Sequence, residues 1–172
     1  QSNDLSIDIS GLPVATAGSI TAPSPAEMQL CIAQAIAAIV GFKDDQGEPM
    51  NTDARNFLVY VPVSLMNAAL TAIATPAQVA ETQTALQGMR QGGFQIGVEV
   101  DPRSAWTVNF AVFRTDSAVK PFIRQEEMSS ELKMKWLDSE YCFDNDAVQV
   151  GIDSWRRAGY GMWQNACLVT MT

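Results

Sequence analysis

The chain has 172 residues, 47% of them hydrophobic and 17% charged, which suits one globular domain that carries two lobes around a shared sheet. Its net charge of −8 and its pI of about 4.4 argue against a nucleic-acid groove, because phosphate binding needs clustered Lys and Arg, and only Arg156-Arg157 is an adjacent basic pair. The chain shows no run of about 18 apolar residues and no signal peptide, so we expect a soluble cytoplasmic protein.

The first segment, residues 1–23, alternates apolar positions at Leu5, Ile7 and Ile9 and then becomes rich in Ser, Thr and Gly, which predicts a strand followed by an ordered loop. A helix start follows, in which Ser24 caps, Pro25 takes the first helical position and Glu27 completes a capping box. The helix should end near Val40, before Gly41. Because it is apolar on nearly every side, we expect it to be buried on several faces or sandwiched between a sheet and a neighbouring subunit.

A polar turn over residues 43–49 precedes a short apolar strand over residues 57–61. The acidic residues of this turn faintly resemble a calcium loop, but the ligand spacing is wrong, and turn chemistry explains them. Residues 64–73 predict a helix. The sequence Thr75-Pro76-Ala77-Gln78 repeats the capping pattern and predicts a second helix that ends near Gly88.

From Phe94 apolar residues recur at every second position, which predicts a strand over residues 94–100 with one face buried. A turn at residues 101–104 leads to a second strand over residues 106–113, with Trp106, Val108, Phe110 and Val112 on one face. The remaining strands are predicted at residues 122–123, 131–137, 147–155 and 162–171. Since helices gather in the first half and strands in the second, we expect an α+β fold with a mostly antiparallel sheet.

Reaction chemistry is hard to find in this sequence. The chain contains no histidine, which removes the commonest general base and metal ligand and every Ser-His or Cys-His nucleophile. Glu126 and Glu127 point to opposite faces of a strand, so they cannot easily converge on one atom. Asp138 and Glu140 have the spacing to share a face, although a solvated rim explains them better than an acid–base pair.

Other conspicuous residues favour packing over ligand binding. Gly88, Gly92 and Gly93 follow a predicted helix, whereas a phosphate loop needs a strand before it. Most of the four tryptophans fall at inward strand positions, which favours core or interface packing. Met128, Met134 and Met162 are suited to an adaptable partner surface. We expect Cys31, Cys142 and Cys167 to be small buried side chains that form no disulfide, in a reducing compartment.

The last third contains the most distinctive motifs of the chain. Its elements are Val119-Lys120-Pro121-Phe122-Ile123, Ser139-Glu140-Tyr141 and Gly159-Tyr160-Gly161-Met162-Trp163-Gln164. In this order and spacing they resemble the C-terminal part of the Mu-like major head subunit family, the gpT-type capsid proteins of phages and prophages. The segments Phe42 to Met50 and Phe57 to Pro62 are similar to the helix, turn and strand that precede this part. The resemblance covers about residues 26–172.

The resemblance implies a Hong Kong 97-like capsid fold, in which an axial lobe with a mixed or antiparallel sheet and helices is joined to a strand-rich part of the peripheral lobe. The axial lobe would comprise about residues 24–115 plus 161–172, and the peripheral strands about residues 1–23 plus 116–160. The acidic turn Asp144-Asn145-Asp146 would lie near the peripheral tip. Subunit-interface or packing residues are then Asp144, Asn145, Asp146, Arg156, Arg157, Tyr160 and Trp163.

The implied function is that of a structural, non-enzymatic subunit that self-associates into an icosahedral shell around DNA. No cofactor, metal, membrane or sequence-specific DNA contact is expected, and the place of action would be the virion, assembled in the bacterial cytoplasm. Alternatives are an encapsulin-like nanocompartment subunit, a tail or adhesin module, or a small acidic hydrolase using Asp138 and Glu140. Family members carry an N-terminal arm, an extended loop and a spine helix ahead of this region, so we expect these 172 residues alone to be a fragment or a truncated remnant, monomeric or weakly oligomeric.

Overall fold

A computed structural model describes residues 3–14, 17–74 and 85–172, which form two compact units. The larger unit comprises residues 1–121 and 162–172, and the smaller one comprises residues 122–161. In chain order the elements are β1 (Asp4–Ile7), α1 (Pro25–Val40), β2 (Asn56–Pro62), α2 (Met66–Ala74), α3 (Ala85–Gln91), β3 (Gln95–Asp101), β4 (Asn109–Arg114), β5 (Phe122–Lys135), α4 (Glu140–Asn145), β6 (Gln149–Tyr160) and β7 (Ala166–Met171). The predicted α+β class is confirmed.

The sheet of the larger unit has five strands in the order β1-β7-β4-β2-β3. The β1–β7 and β2–β3 ladders are parallel, whereas β4 runs antiparallel to both β2 and β7. The sheet is therefore mixed, which agrees with the mixed or antiparallel sheet that the resemblance implies, whereas the mostly antiparallel sheet expected from the order of elements is wrong. Parallel neighbours need a long crossover, and the helical segment between β2 and β3 supplies one of them.

The core of the larger unit lies between one face of this sheet and the helices. Alternate residues of the strands point into it, and Phe110, Val112 and Val169 are fully buried. Helix α1 covers them with a row of side chains exposed by 1% or less: Met28, Ile32, Ile36 and Ile39. Each such side chain stabilises the fold by roughly 1.5–3 kcal/mol relative to an exposed position. Gln29, Cys31 and Ala33, which lie off this row, are buried as well, so the predicted burial of α1 on several faces is confirmed.

The start of α1 follows the predicted capping box. The amide of Glu27 donates to Oγ of Ser24 at 3.3 Å, and the amide of Ser24 donates to Oε2 of Glu27 at 2.7 Å. The Glu27 carboxylate is fully buried and also accepts the backbone N–H of Gly18. One side chain therefore closes the helix end and fixes the loop that precedes it.

Element boundaries differ from the sequence predictions at several places. Helix α2 begins at Met66 because residues 63–65 form a 3-10 turn, and α3 continues past Gly88 to Gln91. The predicted capping segment Thr75-Pro76-Ala77-Gln78 lies outside the described residues. Strand β4 begins only at Asn109, so Trp106 lies in the preceding loop. Residues 163–165 form another 3-10 turn, so the last strand begins at Ala166.

Two further corrections concern the strands outside the centre of the sheet. The predicted strand at residues 122–123 and most of the one at residues 131–137 are parts of one 14-residue strand, β5, which ends at Lys135. Strand β1 pairs with β7, from Asp4 opposite Leu168 to Ile7 opposite Met171. It therefore belongs to the larger unit and does not group with the strands of residues 116–160, because its apolar residue Ile7 is buried in the core of the larger unit. No helix in the described ranges is long and apolar enough to cross a membrane.

Candidate subunit interface

The smaller unit is a two-stranded antiparallel ribbon. Strands β5 and β6 pair from Phe122 opposite Tyr160 to Lys135 opposite Gln149, and α4 lies in the connection between them. Every residue of the range 122–161 is at least partly accessible to solvent. A two-stranded ribbon has no interior and is marginally stable alone in water, so it buries its apolar side chains only against another surface. These exposed side chains make the ribbon the candidate interface.

The outer half of the ribbon has one apolar and one polar face. Leu132 lies opposite Ile152 and Met134 opposite Val150, and cross-strand partners share a face. These four side chains are 52–70% exposed. The other face carries Lys133, Lys135, Glu131, Asp153 and Gln149. On that face Nζ of Lys133 contacts Oδ2 of Asp153 at 2.5 Å. We call the four-residue surface of Leu132, Met134, Val150 and Ile152 the apolar ribbon face.

The inner half of the ribbon is irregular. The pairing register shifts between Glu126 and Met128 and again between Met128 and Glu131, so β5 carries extra residues relative to β6. Such bulges increase the local twist and re-aim side chains. In this stretch Arg124 forms an exposed ion pair with Glu126 at 2.6 Å, while Met128 lies opposite Trp155.

The tip of the ribbon, residues 136–148, is acidic and partly aromatic. It contains Asp138, Glu140, Asp144 and Asp146 and no Lys or Arg. Ser139 caps α4 by accepting the amide of Cys142, and Asp146 ends the helix with a left-handed φ of 49°. The Phe143 side chain on this helix is 92% exposed. A phenyl ring this exposed buries little of its surface against the described residues.

The predicted interface residues lie at separate places. Asp144, Asn145 and Asp146 form the end of α4, whereas Arg156 and Arg157 lie on the inner half of β6. Tyr160 ends β6, is 90% exposed and contacts the ring of Phe122 at a centroid distance of 5.7 Å. Trp163 lies in the larger unit, where its ring meets Phe42 edge-on at 5.4 Å. The structure therefore spreads these residues along the ribbon and beyond it.

An open depression of about 320 Å³ lies beside the bulged stretch of β5. Its lining residues are Gln125, Glu127, Ser154, Trp155, Arg156 and Arg157. In the described part of the chain neither arginine forms an ion pair. The Trp155 ring is 63% exposed. The lining of the depression thus includes two arginines without ion pairs in the described ranges and one accessible aromatic residue.

The residues considered for catalysis do not form an enclosed site. Asp138 and Glu140 are both exposed on either side of Ser139. Glu126 and Glu127 are exposed as well, and Glu126 is paired with Arg124. Among the described residues no group of three His, Cys, Asp or Glu side chains is placed to hold a metal ion.

The tryptophans are not core residues, contrary to one of the sequence expectations. All four are 37–63% exposed, with Trp106 the least and Trp155 the most accessible. Trp106 lies ahead of β4 and meets Tyr60 edge-on, whereas Trp136 follows the last residue of β5. Amphipathic rings of this exposure fit interface packing, which was the other half of that expectation.

The cysteines follow the sequence expectation only in part. Cys31 and Cys167 are buried, and all three thiols are free. Burial raises the pKa of Cys31 and of Cys167 to about 11, with the nearby carboxylates of Glu27 and Asp4 as lesser causes. Cys142 is only half-buried, because it lies on the short tip helix.

A buried polar network in the larger unit was not found from the sequence. Arg114 is 4% exposed and donates to Oδ1 of Asp116 at 2.5 Å, to Oδ1 of Asn51 at 2.8 Å and to Oδ1 of Asp53 at 2.7 Å. Burial alone would raise the pKa of Asp116, but hydrogen bonds from Arg114 and from two backbone amides outweigh it and lower this pKa. The signal was present, since Arg114 falls two residues after Val112 on the inward face of β4.

A comparison with known protein families matches the part of the chain that contains this ribbon. The family described as Mu-like prophage major head subunit gpT matches residues 95–172, from β3 to the end of the chain. The range takes in the whole ribbon and the strands β3, β4 and β7 of the sheet. The resemblance to this family is therefore confirmed over these residues. None of the curated proteins matches the chain.

A solved structure described as the capsid structure of the cyanophage P-SCSP1u is similar to the whole fold. The TM-score is 0.54 at 11% sequence identity, and the match covers 98% of this chain. It covers 53% of the solved chain, so these 172 residues span about half of that protein's length. The mixed α+β architecture is thus one that a phage capsid protein shares.

Proposed function

We propose that this chain is a structural part of the major capsid subunit of a Mu-like phage or prophage, with a Hong Kong 97-type fold. One observation carries the proposal: the family match over residues 95–172 runs through both units and includes the entire ribbon. The likeness to a phage capsid structure over nearly all of the chain supports it. The role is that of a repeated building block of an icosahedral shell.

In this proposal the larger unit is the axial lobe and the ribbon supplies the peripheral-lobe strands. The larger unit has the core that a rigid block needs. The ribbon has accessible apolar side chains along its length, as expected of an element completed by its neighbours. Asp144, Asn145, Asp146, Arg156, Arg157 and Tyr160 are interface residues on this view, and Trp163 packs within the axial lobe.

The mechanism is geometric and not enzymatic. Many contacts of modest strength close a symmetric shell, which needs no cofactor and no catalytic residue. The net charge of −8 on these 172 residues supports a subunit that encloses DNA without binding its phosphates strongly and without recognising a base sequence. The subunit would assemble in the bacterial cytoplasm and remain in the virion.

Electron microscopy of the full-length gene product expressed in bacteria tests the proposal. We expect closed shells or rings of subunits, with sizes consistent with icosahedral assembly. Particles that enclose a cargo enzyme in place of DNA would indicate a protein nanocompartment that has the same fold. An unassembled protein at high concentration, or turnover of a substrate that is lost in D138N/E140Q, would overturn the proposal.

A further inference from the structure

Two features of the ribbon are complementary in charge and chemistry. The tip, residues 136–148, carries four carboxylates and no Lys or Arg, and its Phe143 side chain is 92% exposed. The depression beside the bulged stretch of β5 carries two arginines without ion pairs in the described ranges, together with exposed Trp155. Glu127 also lines the depression, so its charged residues are two positive and one negative. Arginine binds carboxylates in bidentate geometry, and aromatic rings pack on each other, so each feature suits the other.

A chain cannot bring its own tip into its own depression. Arg156 lies seven residues beyond Gln149, the first residue of β6, and a strand rises roughly 3.3 Å per residue. The two features are therefore about 23 Å or more apart along a ribbon whose strands are paired to each other. Only a tip from another molecule can occupy the depression.

We propose that the acidic tip of one subunit docks in the Arg156/Arg157 depression of a second copy of this chain. The contact is heterologous, because different surfaces of the two copies meet, and contacts of this type close into rings when the rotation between copies closes. The inference rests on the proposed shell function, in which copies lie side by side. Beyond that function, it names the two surfaces that meet and the opposite charges that hold them together.

Charge reversal in the full-length protein tests the inference. D144K/D146K and R156E/R157E should each lower the yield of sedimenting particles at least about tenfold, because like charges then face each other in every contact. The quadruple variant D144K/D146K/R156E/R157E exchanges the two charge patterns and should restore the yield. A matched control, K133D/D153K, exchanges an ion pair within the ribbon and should assemble as the wild type does.

Each outcome has a distinct meaning. Particles from both double variants at wild-type yield would overturn the inference, and so would a folded quadruple variant that does not assemble. Absence of particles from the wild-type protein would instead overturn the proposed function. A second measurement decides the case in which a reversed variant misfolds. In a Cys142→Ser background, a bis-maleimide should join Phe143→Cys of one copy to Trp155→Cys of another within wild-type-like particles, and particles without such cross-linked chains would overturn the inference.

Discussion

Nε of Arg114 donates to Oδ1 of Asp116 at 2.5 Å, and both side chains belong to a network that joins two segments of the larger unit. The guanidinium also binds Asn51 and Asp53, while Oδ2 of Asp116 accepts the amides of Arg55 and Asn56. The end of β4 is thereby attached to the segment that leads into β2. Removing this buried cation is costly, because Asn51 at 2% exposure and the Asp116 side chain at 19% would keep their desolvation cost, whereas Asp53 is 80% exposed.

We expect Arg114→Met to lower the free energy of unfolding by about 2–3 kcal/mol, because Oδ1 of Asn51 and Oδ1 of Asp116 lose the guanidinium that donates to them. Urea unfolding followed by circular dichroism measures this change. The control is Arg124→Met, which breaks an exposed ion pair with Glu126 and should cost less than about 1 kcal/mol. Equal effects of the two substitutions would contradict the structural importance of the buried network.

Asp116 makes stability depend on pH in the acid range. Its folded-state pKa is lowered, so the stabilisation that it provides is complete above the unfolded-state value of about 3.9 and is lost as the pH falls through the folded-state pKa. We therefore expect the stability difference between wild type and Asp116→Asn to be largest at pH 6–7 and to shrink steadily below about pH 4. Urea unfolding at several pH values measures it, and a difference that grows toward acid would contradict the assignment.

Gly18 has no space for a side chain. A Cβ atom there would lie 2.5 Å from the carbonyl oxygen of Ala22 and from the amide nitrogen of Ser24. We expect Gly18→Ala to destabilise the protein by about 1–3 kcal/mol and to loosen the Glu27 cap. Gly88→Ala is the control, because its Cβ meets nothing within 4 Å in helix α3 and should be neutral or stabilising by up to about 1 kcal/mol. Thermal unfolding of both variants compares them.

The apolar ribbon face should matter for association and not for the fold of the larger unit. We expect L132S/I152S to leave the unfolding of the larger unit within about 0.5 kcal/mol of wild type, since both side chains are more than half exposed. Particle yield should fall in the same variant, as measured by sedimentation. The substitution K133S/K135S on the polar face is the control, and an equal loss of assembly there would refute a special role of the apolar face.

Thiol labelling separates the three cysteines. With a pKa of about 11, the buried thiols of Cys31 and Cys167 hold only on the order of one thiolate in a thousand at pH 8. We expect one fast-reacting thiol per native chain, at half-buried Cys142, and three after denaturation in urea. Cys142→Ser should leave the native protein unlabelled on the same timescale. Rapid labelling of a second thiol in the native wild type would show that the core opens readily.

Local signals predicted the helical and interior parts of the fold well. The capping box at Ser24 and Glu27, the stop at Gly41 and the interior strand over residues 57–61 depend on contacts within a few residues, and the structure has each of them. The turn at residues 43–49 is equally local, with a φ of 88° at Gly47 and with Asp44 accepting nearby amides. Such features need no knowledge of distant residues.

Strand pairing and exposure were predicted less well, because they depend on residues far apart in the chain. The position of β7 between β1 and β4 makes part of the sheet parallel, and nothing within a single strand records its neighbour. The tryptophans have apolar neighbours at the spacing of a core strand, yet all four are at least 37% exposed. Trp136 and Trp155 belong to or border a ribbon without an interior, so alternation along their strands does not produce burial.

By itself, the sequence determined the capped buried helix, the alternating strands, the absence of histidine chemistry and the family resemblance of the last third. Tertiary structure alone decided that β5 and β6 stand as a separate two-stranded ribbon and that Arg114 gathers three acceptors in the larger unit. It also decided that the acidic tip and the Arg156/Arg157 depression lie at different places along one ribbon. The physical reason is the separation of the interacting residues along the sequence. Caps and turns form between residues a few positions apart, whereas burial and strand pairing depend on which distant segments the folded chain brings into contact.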